Sequence, residues 1–513
     1  MAGYLFISIL LATFWLTIKM SNSEVIVVGG GLAGLSAAVK AGLQGAHVTI
    51  IEKEKSVGGN SAKATSGING AETDTQKRLG IHDQWTLFEQ DTIKSGDGFS
   101  DPELVKILTS KSKDAIEHLK NLTADLNDVV QLGGHSVARS HRFLPSADGK
   151  PVPVGFTLVS TLRKYIETKL NSTVTILTQS KFLSLIYRGN SVVGVMYLAP
   201  DNSEKSIYGT VVLSAGGFAH DRSDDSLLIK YAPKLAKLPT TNGVWATGDV
   251  IKVALNDNLS LIQLDKIQVH PTGFIDPKDP KSNSKFLAPE SLRGCGGLLL
   301  NSHGNRFVDE LTRRDYVTDA IFKNCQRFTQ ETGDVMDESS PTYAVLLLNE
   351  AILERFGKGT AGFYKFKGLI QDVGSFENLV KTLKLQNESD LRRTLESYKL
   401  SAQNQRKDEF GKTIFPVIFD TDSDHFYIAY VTPSLHYCMG GLKIDAQARV
   451  YRKASHEGAA ETVVSGLFAA GEVTGGVHGQ NRLGGNSLLE CVVFGRIAGS
   501  EAAKYVQVPY EEL

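Results

Sequence analysis

"EVIVVGGGLAGLSAAVKAGLQGAHVTIIEKEK", residues 24–55, holds the pattern on which the fold turns. Val25–Val28 is a short, wholly apolar run, as in a strand buried on both faces. Gly29, Gly31 and Gly34 follow as G-x-G-x-x-G, and Leu35, Ala38 and Val39 then mark one face of a helix. "HVTIIE" is a second strand, and its last residue, Glu52, lies 18 residues beyond Gly34. Strand, glycine turn, helix and strand make a βαβ unit. Its first glycine permits the tight turn, its second lets a pyrophosphate approach the backbone, and its third lets helix and strand pack closely. The helix N-terminus favours phosphate charge, and an acid about 20 residues on suits a ribose hydroxyl. A lone G-x-G-x-x-G says little. With both strands, the helix and the acid in place, the stretch reads as a dinucleotide site.

The surroundings are those of an ordinary globular chain. Its 513 residues are too many for one simple core, so two or more domains are expected. With 42% hydrophobic and 22% charged residues it is neither disordered nor a multispan membrane protein. A net charge of −1 with no basic run excludes an electrostatic nucleic-acid footprint. Cys295, Cys325, Cys438 and Cys491 are scattered, with no CxxC pair, no zinc pattern and no CxxCH for attached haem.

Residues 4–18, "YLFISILLATFWLTI", are apolar and are followed by Lys19. A comfortable span wants about 20 such residues, so the segment (domain 1–23) reads as a signal h-region or a short membrane tether, with a buried core helix as the plain alternative, since a strand begins right after it. It lacks the Arg-rich amphipathic pattern of a standard matrix transit peptide. The expected address is the mitochondrion or the endoplasmic reticulum, with a cytosolic form where translation starts at Met20. Four Asn-x-Ser/Thr sequons, at Asn121, Asn171, Asn258 and Asn387, matter only on a secretory route.

Further along, "SVGGNSAKATSGIN" (56–69) adds a second Gly pair and small polar residues that suit a backbone wrapped around cofactor phosphates and a flavin. Residues 101–119 predict a helix capped by Asp101 with Pro102 at its first position. Residues 157–170 predict another. "FLSLIYRGNSVVGVMYL" (182–198) predicts a hairpin around Gly-Asn, and a strand ends in "VVLSAGG" (211–217). "GLFAAGEVTGG" (466–476) is again a strand running into glycines, with Glu472 at its tip, and 486–506 predicts a long final helix. The cofactor domain is therefore expected in two pieces, 24–264 and 438–513, with 265–437 inserted between them.

Polar residues gather at glycine-rich or domain-edge positions: His270 in "IQVHPTGF", Glu290 and Arg293 in "PESLRGCGG", Arg314 and Asp315 in "DELTRRDYV", His436 in "SLHYCMGG", Arg482 in "QNRLGG". Ligands commonly bind at domain interfaces. Two histidines and two arginines meeting there would suit a small dicarboxylate, since arginine forks bind carboxylates bidentately. Each also has a plain structural reading: a satisfied loop histidine for His270, an ion pair with Asp315 for Arg314, one with Glu290 for Arg293.

Taken together, "GGGLAG", "GGNSAKATSGIN", "QVHPTGF", "ESLRG", "RRD", "HYCMGG" and "GEVTGGVHGQNRLGGNSLLE" resemble the soluble fumarate reductases, within the succinate dehydrogenase flavoprotein family. "GGHSVARSHR" (133–142) brings the fungal branch nearest, and the resemblance runs from residue 24 to about 505. It implies an α/β fold: a discontinuous Rossmann-like FAD-binding domain with an inserted α+β capping domain. It implies hydride transfer from reduced FAD to fumarate, giving succinate. Arg314 would be the proton donor, Glu290 and Arg293 its relay, and His270, His436 and Arg482 the grip on the carboxylates. FAD would lie on Gly29, Gly31, Leu32, Ala33, Gly34, Glu52, Lys53, Gly59, Asn60, Ser61, Thr65, Ser66, Gly67 and Ile68. It would also meet Ala215, Gly216, Gly217, Asp249, Gly471, Glu472, Ser487 and Leu488.

Two departures stand out. Where bacterial members often have Thr before the relay Glu, this chain has Pro289, which cannot donate to a carboxylate. The loop after the GG pair has no His for covalent attachment, so FAD is expected to be noncovalent. The electron donor implied is reduced free flavin or NADH, no metal is needed, and a monomer is expected. Alternative readings are a related oxidoreductase for another dicarboxylate or enoate, such as an L-aspartate oxidase, a ketosteroid dehydrogenase, or a non-catalytic flavin-binding redox protein. Arg482 with His436 speaks for an acidic substrate over a steroid.

Overall fold

The computed structural model describes residues 24–122, 124–147, 152–328, 340–454, 456 and 458–507. The N-terminal apolar stretch lies outside them. No helix among the described residues is long and apolar enough to cross a membrane.

The βαβ unit forms as read. Glu24–Val28 sits mid-sheet, parallel to His47–Ile51 on one side and Thr210–Leu213 on the other. Six strands line up as Arg449–Arg452, Thr462–Ala469, Thr210–Leu213, Glu24–Val28, His47–Ile51 and Val174–Leu177. All neighbours are parallel except the first pair, which is antiparallel. Helices cover this sheet, which is why Val25–Val28 are at most 2% exposed and no polar alternation survives in that strand. Helix Leu32–Leu43 packs along the final helix Asn486–Gln507. Small residues permit the contact: a Cβ at Gly499 would lie 2.2 Å from the Ala37 carbonyl oxygen.

The predicted hairpin becomes two strands of a three-stranded antiparallel sheet, Lys181–Arg188, Ser191–Leu198 and Glu204–Tyr208. The helix expected over 101–119 is two helices, Pro102–Ser110 and Ser112–Asn121. Asp101 caps the first as read, accepting from the Glu103 and Leu104 N–H groups, but Lys111 (φ −92°, ψ 3°) leaves the helical region between them. The helix expected over 157–170 runs Val154–Lys169, beginning directly after Pro153.

A second hydrophobic core gathers Leu298–Leu300, Val345–Leu348, Tyr398 and Phe426 around its own sheet. Two strands run between the cores. Ile267–Phe274 and the 13-residue Phe426–Cys438 pair antiparallel. Ile267, Leu435 and Cys438 belong to the first core, while Phe274 and Phe426–Val431 include the second core's members. Their ladder is irregular at the crossing: Gln268 faces Tyr437 while Val269 faces Leu435, so His436 is the extra, bulged residue. Bulges re-aim side chains and are common beside active sites. A second slip separates His270 from Gly273, where Pro271 has no N–H for the ladder.

Candidate active site

One cavity of about 930 Å³ runs from the Gly29 turn to Arg314, His436 and Arg482, with walls from both cores. At its first end the three motif glycines have separate duties. Gly29 has φ +102°, and a Cβ there would lie 2.7 Å from the Ser214 carbonyl oxygen. Gly31 opens on the cavity, its nearest neighbour to a Cβ being Ser61 Oγ at 3.8 Å. Gly34 packs away from it, with a Cβ 2.0 Å from the Gly29 carbonyl oxygen.

Glu52 closes the turn, accepting from the Gly30 N–H at 2.8 Å through Oε2 and from the Glu54 N–H at 2.8 Å through Oε1. Burial raises its pKa from the ordinary range against those two bonds. Lys53 pairs with Asp249 at 2.8 Å. Asn60 ties the 58–69 loop to the opposite wall, accepting from the Gly243 N–H at 2.9 Å. Thr65 Oγ1 and Trp245 Nε1 are buried here without a partner. Buried polar atoms are almost always satisfied, so a polar ligand lying along this wall fits them, as the glycine-lined cradle fits a dinucleotide.

Of the residues expected on the cofactor, Leu32, Ala33, Gly59, Ser61, Ser66, Gly67, Ala215, Gly216, Gly217, Glu472, Ser487 and Leu488 also line the cavity. Gly34, Ile68 and Gly471 do not. Ile68 is fully buried in a strand paired with His141, and a Cβ on Gly471 would lie 2.8 Å from Ala33 Cβ. Glu472 accepts from the Cys438 N–H at 2.9 Å, and burial lifts its pKa to about 7 against that bond.

At the other end the charged residues converge. The His270 and His436 rings lie 5.0 Å apart. The Thr272 N–H donates to His270 Nδ1 at 3.2 Å, so the neutral ring carries its proton on Nε2, which is buried and unpartnered. Burial first and the Arg314 charge second hold both rings well below the usual histidine range. Arg314 reaches Glu290 Oε2 through Nε at 2.8 Å and Nη2 at 2.7 Å, and Gln268 Oε1 through Nη1 at 2.8 Å. Burial pushes the Glu290 pKa up, but Arg314 and Arg293 outweigh it and bring it to about 2. Arg482 lies over the Tyr437 ring, 4.3 Å from its centroid, with Nε buried and unpartnered. Burial and then Arg314 lower its pKa to about 10.

Two of the plain readings fail. Asp315 pairs with Arg313, not with Arg314, whose partner is Glu290. Arg293 makes no hydrogen bond to Glu290: its Nη1 donates to the Glu310 carbonyl, and Nε and Nη2 have no partner. Its link to Glu290 is through charge alone. His270, Glu290 and Arg293 stand behind the cavity wall rather than on it. Sequence reasoning passed over Gln268, which bridges Arg314 to Asn481 and to the Arg482 carbonyl (2.9 Å), and Gly133, whose N–H donates to Glu290 Oε1 at 2.8 Å. An amide and a glycine carry no signal until the fold brings them there.

The family model described as "FAD binding domain" matches residues 24–488. The chain is 40% identical over 506 residues to a fumarate reductase of Schizosaccharomyces pombe, covering 96% of this chain and 92% of that one. It is 44% identical over 501 residues to fumarate reductase 1 of Saccharomyces cerevisiae, covering 94% and 99%. Among solved structures, the open conformation of a flavocytochrome c3 fumarate reductase superposes with a TM-score of 0.71 at 31% identity, covering 95% of this chain and 79% of that one.

Proposed function

This chain belongs to the FAD-binding-domain family, on the fumarate reductase branch, and we propose that it reduces fumarate to succinate with FAD as cofactor and Arg314 as proton donor. One observation carries the reading. The charged end holds buried donors without acceptors, His270 Nε2 and Arg482 Nε, beside the Arg314 and Arg293 charges. A buried surplus of donors and positive charge calls for an anion, and a dicarboxylate supplies one at each end.

When bound along the glycine cradle, FAD supplies the hydride. The chain's own residues do the rest. His436 and Arg482 on the cavity wall, with His270 behind it 5.0 Å from the His436 ring, hold the carboxylates and draw charge from the double bond, so that one alkene carbon accepts hydride. Arg314 protonates the other carbon. Its Nε donates to Glu290 and its Nη1 to Gln268, while Nη2 lies in ion-pair contact with Glu290, so both Nη nitrogens keep an N–H for the substrate. Arginine is a poor acid in water, with a pKa above about 12, and works only when held close and reprotonated at once. Glu290, held as the anion by Arg314 and Arg293, is placed to take up a proton from solvent and pass it on to the deprotonated Arg314. Arg293 acts on Glu290 through its field.

Residues 265–437 act as the cap, residues 24–264 and 438–513 as the cofactor domain, and 1–23 as an addressing segment for the mitochondrion or endoplasmic reticulum. FAD is noncovalent, the protein is a monomer, and reduced flavin or NADH supplies the electrons. Anaerobic oxidation of reduced viologen dye, with fumarate and competing acids, tests the central reading. Dye oxidation that depends on fumarate supports it, and its absence overturns it.

A further inference from the structure

The stretch Gly133–Arg142 takes no part in this chemistry, yet it meets the site at two points. One is the Gly133 bond to Glu290 already described. The other is His135, 6% exposed, with Nε2 3.0 Å from the Gly484 carbonyl oxygen. Behind it stands Arg139, fully buried. It donates to both oxygens of Asp83 (3.0 and 3.1 Å), to Asp91 at 2.5 Å and to His135 Nδ1 at 3.1 Å. A guanidinium can only donate. His135 Nδ1 must therefore accept, and the ring proton sits on Nε2, directed to Gly484. Burial first, and the Arg139 charge second, keep the pKa of this ring down at about 4, so it is neutral at neutral pH.

Gly484 is where the substrate-arginine loop touches the acid. A Cβ there would lie 3.1 Å from Glu290 Oε2 and 3.3 Å from Arg314 Nη2. Its carbonyl also accepts from Asn69 Nδ2 at 2.7 Å. Arg482 is two residues upstream, its Nη1 donating to the Leu483 carbonyl at 3.1 Å. Whatever holds the Gly484 carbonyl therefore holds the spacing between Arg482 and the Arg314–Glu290 pair.

We propose that His135 is a positioning residue for the carboxylate-binding loop: by donating from Nε2 to the Gly484 carbonyl it fixes Arg482 relative to Arg314 and so sets affinity for the dicarboxylate. This rests on the fumarate reading above. Two variants of the holoenzyme separate its two bonds. In His135→Asn the amide oxygen reaches the Nδ1 position and keeps the Arg139 bond, but nothing donates to Gly484. In His135→Gln the amide nitrogen reaches the Nε2 position and restores that donor.

The expected result is a KM for fumarate raised about five- to tenfold in H135N, the worth of one buried hydrogen bond. Lost uniform binding raises KM and leaves kcat within about twofold. H135Q stays near the parent. A purely structural role would instead lower melting temperature or FAD content in both variants and leave the KM of the folded holoenzyme alone. KM within twofold of the parent in H135N, or raised equally in H135Q, overturns the proposal. Should H135N not fold, His135→Ser removes the same donor with a smaller side chain, and an unchanged KM there overturns it equally. A parent without fumarate-dependent turnover overturns the functional reading itself, an outcome distinct from either.

Discussion

The two ends of the cavity are built on opposite plans. The cofactor end is mostly backbone: a 32-residue βαβ stretch, 24–55, supplies its turn, its helix and its acid within one local unit. The charged end is side chain, assembled from Gln268–His270, Glu290–Arg293, Arg314, His436 and Arg482, which the fold draws together across more than 200 positions. A local unit is delivered whole by one stretch of chain. A convergent one depends on every strand and loop that delivers a member, so the two ends should fail separately.

The largest expected effect tests that separation directly. Arg314→Ala removes the proposed proton donor and should lower turnover by about 10³-fold or more, while FAD absorbance in the purified protein stays at the parent's level. Loss of FAD from this variant would show that the ends are not independent. Gly34→Ala probes the other side, since its Cβ would lie 2.0 Å from the Gly29 carbonyl oxygen. The clash should cost about 3 kcal/mol, read as a lower midpoint in urea and as FAD lost during gel filtration.

Glu472 gives a smaller effect, visible in FAD-free protein. Its folded pKa, about 7, stands above the ordinary 4.5. The folded state therefore holds a proton that the unfolded state releases above about 4.5. The associated stability is present below that pH and is lost as pH rises through 7, on the order of 3 kcal/mol. Glu472→Gln should flatten this slope in urea unfolding between pH 5 and 8, and an unchanged slope would mean the carboxyl is better solvated than its surroundings imply. Smallest of all, Pro289→Thr restores a hydroxyl beside the grip and should lower the KM for fumarate about threefold, within the range of one exposed-to-buried hydrogen bond.

The same contrast decides what could be read in advance. The βαβ unit, the hairpin over 182–198 and the long final helix were legible because each is written in local periodicity and turn residues. The break at Lys111 was not, for nothing in "LTSKSKDAI" departs from helical composition. The members of the charged end were visible as residue types, but their partners were not. Arg314 lies beside Asp315 in the chain and yet bonds Glu290, 24 positions away. Arg293, three residues from Glu290, points its one bond at Glu310 instead. Adjacent helix residues face apart, which separates Arg314 from Asp315; Glu290 and Arg293 share a face at i,i+3, yet the Glu310 carbonyl takes the Arg293 bond.

The paired strands Ile267–Phe274 and Phe426–Cys438 each have one end in either core and carry His270 and His436 at the crossing. This has a consequence for anyone who would recombine such proteins. The glycine cradle comes from one stretch of chain, and a graft of it must bring only the elements that brace it, Ser214, Asp249 and the final helix. The proposed substrate grip cannot be exchanged by swapping residues 265–437 alone. A cut through either strand parts a histidine from the register that aims it, so the smallest transferable unit for specificity is the cap together with both crossing strands and the Arg482 loop.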